Sequence, residues 1–315
     1  DTASLGGGFG VTSSLVLPVG IYEKALPASL SWEDRLLLVR ELGYDYVEIA
    51  IDESDRRLSR LSWGASQRQA LRALCSRVGV RIQTMCLSAH RKYPLGSADP
   101  DIRARAWQIM RGALRFAVDV GISMVQVAGY DVFYEPSTPA SQARFVNGLR
   151  QSARWAAGAG VMLGLENVDT ELVDSVTKAL YYVQEINSPW FQLVADMGNL
   201  AAAGYDPATE LRRGKGHIVG IHVKDARPGV FRGVPFEQGI VHFAKTFAAL
   251  AEMDFRGSLT VEMWSDVQAA SAQPDPDPVR AVADARRLVD RLLAATWARG
   301  MPSDEPGDLV CDCRK

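Results

Sequence analysis

A single-domain α/β fold closed into a (β/α)8 barrel is predicted by three features of the 315-residue sequence. Short β-branched runs alternate strictly with long amphipathic stretches, and there are eight such pairs. No Gly-rich phosphate turn follows the first strand, where the chain reads GIYE at 20–23. Alternation argues for a parallel sheet, and eight units in this length argue for closure. An open doubly wound sheet is the competing architecture, and it usually carries the missing turn.

Strands are expected at 18–23, 46–51, 81–88, 124–129, 161–167, 191–196, 218–225 and 258–264. Helical periodicity falls at 31–42, 65–78, 101–120, 140–157, 175–186, 207–213, 243–253 and 279–298. Ser31 and Asp34 stand at capping-box spacing. Gly43, Gly79, Gly121 and Gly160 sit just past helix ends, where a left-handed residue closes the last turn. Residues 1–16 are rich in Gly, Ser and Thr and lack the basic and apolar regions of a secretory signal, so a disordered leader is expected. The catalytic barrel is assigned to 17–300, with a Pro/Asp-rich linker at 271–278 and a polar tail at 301–315.

Composition narrows the function. Lys plus Arg number 35 against 37 Asp plus Glu, a net charge of -2 that leaves no electrostatic footprint for nucleic acid or an anionic membrane. No run of 18 apolar residues appears. Of the four cysteines, Cys75 and Cys86 fall in apolar-periodic segments and Cys311 and Cys313 in the tail, which is no disulfide framework and suits a reducing cytoplasm.

In a barrel, residues at the C-terminal strand ends face the active-site mouth. Glu166, Asp196, His222 and Glu262 come from four consecutive strands, each inside or ending an apolar run: LGLE, QLVAD, GIH and LTVE. A charge there is costly unless paired or bound to metal, and three crowded carboxylates repel one another without a cation among them. Taken singly, each acid is as well explained by a salt bridge. Taken together, three oxygen donors and one imidazole suit one divalent ion: Mn2+, Zn2+, Co2+ or Mg2+.

Longer motifs then carry a resemblance: GIYEKALP at 20–27, CLSAHRKYPLGS at 86–97, AGYDVFYE at 128–135, SPWFQLVADMGNL at 188–200, HIVGIHVKDARPGVFRGVPF at 217–236 and VEMWSD at 261–266. In these the chain resembles the bacterial L-ribulose-5-phosphate (L-xylulose-5-phosphate) 3-epimerases of ascorbate and pentose catabolism, within the xylose-isomerase-like barrel superfamily. The resemblance implies that the four residues are metal ligands, and that Glu166 and Glu262 double as acid and base. Related ketose epimerases place a His where this chain has Asn199, which fits the phosphopentose branch. One departure stands out. The branch usually reads VPFGEG, whereas this chain reads VPFEQG at 234–239, so Glu237 replaces a Gly and a reshaped turn is expected.

The implied reaction inverts C3 of a 2-ketose through a cis-enediolate. A cation chelated by O2 and O3 stabilises the developing charge, and inversion needs a base on one face and an acid on the other. Glu48, His90 and Asn199 are candidate contacts to substrate hydroxyls. Lys24 and Lys224, which directly follow strands, are favoured over Arg91, Lys92 and Arg227 for the phosphate. Trp264 is a candidate wall. A small phosphorylated ketose is the expected partner of a cytoplasmic homo-oligomer, a dimer. Alternatives are a related sugar isomerase, which typically wants a second metal cluster, a free-ketose 3-epimerase, and a non-catalytic sugar-binding barrel. An abasic-site endonuclease of this fold needs more than the four histidines present.

Overall fold

In the computed structural model, residues 17–265 and 277–297 are described. The leader, most of the linker, the end of the last predicted helix and the tail, with Cys311 and Cys313, lie outside the described residues. Eight parallel strands close a barrel: β1 (Val19–Tyr22), β2 (Tyr46–Ile51), β3 (Arg81–Leu87), β4 (Met124–Ala128), β5 (Met162–Glu166), β6 (Phe191–Asp196), β7 (Ile218–Val223) and β10 (Ser258–Val261). Their order round the barrel is β1, β10, β7, β6, β5, β4, β3, β2. The strands β2 and β4 are buried at every position, as strands covered on both faces must be, which is why each reads as an apolar run broken by a single polar residue, Glu48 in β2 and Gln126 in β4.

The helices outside are α1 (Trp32–Glu41), α2 (Asp55–Leu58), α3 (Ala65–Val78), α4 (Pro100–Val120), α5 (Pro139–Ala159), α6 (Val176–Ile186), α7 (Met197–Ala202), α8 (Pro207–Arg213), α9 (Phe243–Glu252) and α10 (Pro278–Trp297). Ser31 Oγ caps α1 by accepting from Asp34 N at 3.1 Å. Gly79, Gly121 and Gly160 close α3, α4 and α5 in the left-handed conformation. Two short helices, α2 and α7, and an antiparallel hairpin, β8 (Asp225–Arg227) with β9 (Val230–Val234), are additions to the expected pattern. The hairpin begins where the predicted seventh strand was carried on to 225. Asp225 anchors the loop behind it by accepting from the backbone N–H groups of Gly239 at 2.9 Å and Val241 at 3.2 Å.

Two bulges set the phase of the strands beneath the mouth. Across β2 and β3 the register steps from Val47↔Ile82 to Glu48↔Thr84, so β3 carries one extra residue. Across β6 and β7 it steps from Leu193↔Ile218 to Val194↔Gly220, which brings Asp196 opposite His222. Since a one-residue slip turns every later side chain to the other face, a bulge is a way to re-aim a side chain at a site. Lower down, Gly20 leaves room for the Tyr46 ring, which a Cβ there would meet at 2.1 Å. The Tyr46 hydroxyl lies 2.8 Å from both Leu259 O and Thr260 Oγ1.

Candidate metal centre and active site

The four acidic and imidazole residues converge. Glu166 ends β5, Asp196 ends β6, His222 lies in β7 and Glu262 directly follows β10. All four are buried, and one donor atom from each lies within 4.8 Å of the others. His222 Nδ1 is 2.8 Å from Glu166 Oε1, 3.3 Å from Glu262 Oε2 and 4.0 Å from Asp196 Oδ2. Asp196 has two duties. Its Oδ1 accepts from Asn199 N at 2.8 Å and so caps α7, while Oδ2 faces the cluster. Asn167 holds the Asp196 backbone, accepting from its N–H at 2.8 Å and donating to its carbonyl at 3.1 Å.

Lys224 completes the group. Its ammonium is 2.6 Å from Asp196 Oδ2, 3.0 Å from Glu262 Oε2 and 2.9 Å from Asn199 Oδ1, with its charge 5.4 Å from the centre of the Trp264 ring. Glu166 has a different companion: the amide Nε2 of Gln126, from β4, donates to Glu166 Oε2. The electrostatics follow from this asymmetry. Burial raises Glu166 above the usual carboxylate range and outweighs the nearby His222. Burial lifts Asp196 to about 8 despite Lys224. Burial also opposes ionisation of Glu262, yet Lys224 and His222 prevail and hold it well below the usual range. Burial would neutralise His222, but Glu48, Glu166 and Glu262 raise it well above its ordinary value.

These residues fit a divalent cation. Asp196 Oδ2 and His222 Nδ1 are buried without an aligned hydrogen-bond partner, and the hard, oxygen-rich donor set suits a divalent ion. Carboxylates crowded together in a buried site are the condition under which such an ion is favoured.

A cavity of about 310 Å3 opens beside the cluster. Of the residues expected there, Lys24, Asn199, Lys224, Trp264, Glu166 and Glu262 line it. Lys24 is also paired with Asp52 at 2.7 Å. Arg91 lines it with its guanidinium 4.5 Å from the centre of the Phe133 ring, and among the described residues no carboxylate lies within ion-pair distance of it. Arg232, from β9, lines it and pairs with Asp169 at 3.2 Å.

Two expected contacts fall elsewhere. His90 is buried off the cavity with Nε2 3.2 Å from the Ala106 carbonyl of α4. Burial drops it to about 4, so it stays neutral. Glu48 is fully buried and does not line the cavity either. Its Oε1 lies 3.1 Å from His222 Nε2, and its Oε2 accepts from Thr84 Oγ1 at 2.8 Å. A hydrophilic letter in a strand-end motif marks a place near the mouth without marking a side-chain direction, and in both cases the partner is protein. Sequence reasoning missed Gln126, Thr84, Tyr22, Tyr130 and Arg232. Among these, the amide of Gln126 inside the apolar run MVQVA is the one signal that was there to be used.

The profile of the xylose isomerase-like TIM barrel family matches residues 36–291. The chain belongs to that family. It is 47% identical over 279 residues to the L-ribulose-5-phosphate 3-epimerase UlaE of Salmonella heidelberg, covering 89% of this chain and 96% of that one. To the Escherichia coli enzyme of the same name it is 47% identical over 278 residues, covering 88% and 95%. Solved structures share the fold at lower identity. An L-ribulose 3-epimerase superposes with TM-score 0.74 at 21% identity, covering 90% of this chain and 97% of that one. A D-allulose 3-epimerase from Methylomonas sp. gives 0.72 at 20%, covering 87% and 96%. No described helix is long and apolar enough to cross a membrane.

Proposed function

We propose that this chain is a metal-dependent 3-epimerase that interconverts L-ribulose 5-phosphate and L-xylulose 5-phosphate. The observation that carries the reading is the pair Glu166 and Glu262. They stand at the ends of different strands, both lie within 3.3 Å of His222 Nδ1, and both border the same cavity. Relatives at 47% identity are named for this activity. Bound at the cluster, a divalent cation would supply Lewis-acid stabilisation of the ketose oxygens as C3 loses its proton. The residues do the rest. One glutamate accepts the C3 proton as the C2–C3 double bond forms, and the other donates a proton to the opposite face, restoring the ketone with C3 inverted. In the reverse direction their roles exchange. The difference in their companions, an amide for Glu166 and an ammonium for Glu262, favours a proton on Glu166 and an ionised Glu262, so that in one direction Glu262 is the group ready to accept and Glu166 the group ready to donate.

Lys224 and Asn199 border the reacting end, and Trp264 forms a wall. Lys24, Arg91 and Arg232 bring positive charge to the same cavity, where a remote phosphate can hold the reacting carbon in place. The same reading takes the ion from Mn2+, Zn2+, Co2+ and Mg2+, and the enzyme as a cytoplasmic homodimer in ascorbate and pentose catabolism. Among the described residues a single metal-type cluster is found, which disfavours a two-metal hydride-shift isomerase. The test is an NMR time course with L-ribulose 5-phosphate, L-xylulose 5-phosphate and their free sugars, with Mn2+ added and then removed by chelator. Epimerisation of the phosphates with higher kcat/KM than the free sugars, lost on chelation, is the expected result. Equal kcat/KM for free and phosphorylated sugar would reassign the chain to a free-ketose epimerase, and full turnover without metal would end the mechanism.

A further inference from the structure

The pair Glu48 and His222 spans the barrel interior from β2 to β7, three strands apart round the ring. Both residues are buried, at 0% and 1% exposure. Glu48 Oε1 and His222 Nε2 are 3.1 Å apart, an ion-pair distance, and among the described residues neither atom makes an aligned hydrogen bond. A buried polar atom without a partner carries its full desolvation cost, and among the described residues each of the two has the other as its counter-group at ion-pair distance. The other oxygen of Glu48 is taken by Thr84 Oγ1. The bulge in β3 is what sets Thr84 directly opposite Glu48.

We propose that Glu48 is a positioning residue of the metal centre, which keeps the His222 ring turned so that Nδ1 faces Glu166, Asp196 and Glu262, and that Thr84 locks Glu48 in that task. The inference rests on the metal-binding reading above. Its chemistry is that of imidazole tautomers. A neutral ring has one donor nitrogen and one acceptor nitrogen. To offer Nδ1 to a cation the ring must carry its proton on Nε2, and a carboxylate oxygen placed 3.1 Å from Nε2 as an acceptor favours that arrangement. Glu48 does not border the cavity, so a substrate hydroxyl has no route to it that leaves the Thr84 bond and the His222 contact intact.

The deciding experiment measures Mn2+ affinity of the full chain by chelator competition, beside sugar-phosphate kinetics at saturating Mn2+. Glu48→Gln keeps the size but presents an amide that can also donate. Its Mn2+ Kd is expected to rise about 10–100-fold, with KM for the sugar phosphate close to wild type once metal is saturating. Thr84→Val should raise the Kd by a smaller factor, and Thr84→Ser, which keeps the hydroxyl, should restore it. With Zn2+ bound, the Nε2–H proton of His222 should resonate far downfield and exchange slowly in the wild type, as a proton held by a carboxylate does, and should move upfield and exchange faster in Glu48→Gln. If the wild type binds no divalent ion, the metal reading falls and takes this proposal with it. If the wild type binds and folded Glu48→Gln binds equally tightly, the positioning role alone is overturned. A raised sugar KM with unchanged metal affinity overturns it in favour of substrate contact. Should Glu48→Gln fail to fold, Thr84→Val decides, since unchanged metal affinity there removes the lock.

Discussion

The two halves of the barrel divide the work at the site. The run from β5 through β6 and β7 to β10 contributes all four clustered donors, together with Lys224 and Asn199. The run from β1 to β4 contributes partners to those donors: Glu48 and Thr84 behind His222, and Gln126 beside Glu166. Tyr22 and Cys86, which line the cavity, share a 3.7 Å contact from the Tyr22 hydroxyl to the Cys86 sulfur. One half concentrates charge, and the other supplies the fixed dipoles and the one extra carboxylate that hold that charge in place. The difference teaches that the clustered donors and the groups that hold His222 and Glu166 come from opposite halves of the ring, so a donor and its support are far apart in the sequence.

The sharpest way to break this division is at the two glutamates. Each metal-loaded variant, Glu166→Gln and Glu262→Gln, should lose at least about 100-fold in net epimerisation. If they serve opposite faces of C3, each should still exchange the C3 proton of one epimer with deuterated solvent, and the two should differ in which epimer that is. Metal content is measured in both, because a variant that had lost its ion would exchange neither. Wild-type rates in either variant would remove it from the chemistry. Exchange of the same epimer by both would place the two carboxylates on one face. Loss of exchange from both epimers with metal still bound would mean that each glutamate is needed to hold the enediolate and would leave the faces unassigned.

A second break point lies in the supporting half, at His90. Its ring is held off the cavity, and burial keeps its folded pKa at about 4 against an ordinary 6.5. The folded state therefore refuses a proton that the unfolded chain accepts. The stability this represents is present above about pH 6.5 and is lost as pH falls toward 4, amounting to roughly 3 kcal/mol at the acid end. His90→Gln should flatten the fall of unfolding free energy between those limits, as followed by urea titration, while KM for the sugar phosphate at neutral pH stays within about 2-fold of wild type, the scale of an ordinary substitution that touches no ligand. A KM raised tenfold would put His90 back in contact with substrate.

These cases also show what was legible in the sequence. The eight barrel strands fall where period and β-branching placed them, because a doubly covered strand cannot hide its apolar run. The four clustered donors were legible for the complementary reason: a charge ending such a run needs an explanation. What escaped notice was neutral or misdirected. Thr84 reads as ordinary strand composition, and its role depends on a one-residue bulge that no pattern announces. Gln126 reads as a single polar letter. Glu48 was flagged for its charge, but its direction, across the interior and under the floor of the cavity, is a property of barrel closure. The short helix α7 was missed because six residues make too little periodicity to see, although Asp196 with Asn199 three residues on is its cap.

The smallest effect concerns the loop over the donor half, and it sharpens the claim that only inward residues matter there. Replacing the usual Gly by Glu237 was expected to reshape the turn. Here Glu237 takes a left-handed backbone, with φ 65°. A non-glycine residue so held costs roughly 1–2 kcal/mol, and its side chain recovers little. It lies 3.8 Å from Arg291, both well exposed, and exposed pairs of this kind contribute next to nothing. Glu237→Gly should therefore relieve the strain, less the extra chain entropy that glycine gives the unfolded state, about 0.5–1 kcal/mol. The net gain of up to about 1 kcal/mol corresponds to a rise in Tm of about 1–3 °C in a chain of this size. Because the turn already has the glycine-like backbone, Mn2+ affinity and sugar-phosphate kinetics of the variant should match the wild type. A change in substrate preference without a change in Tm would show that the Glu237 side chain, rather than its backbone, acts on the site. That would extend the functional surface of the donor half beyond its strand ends.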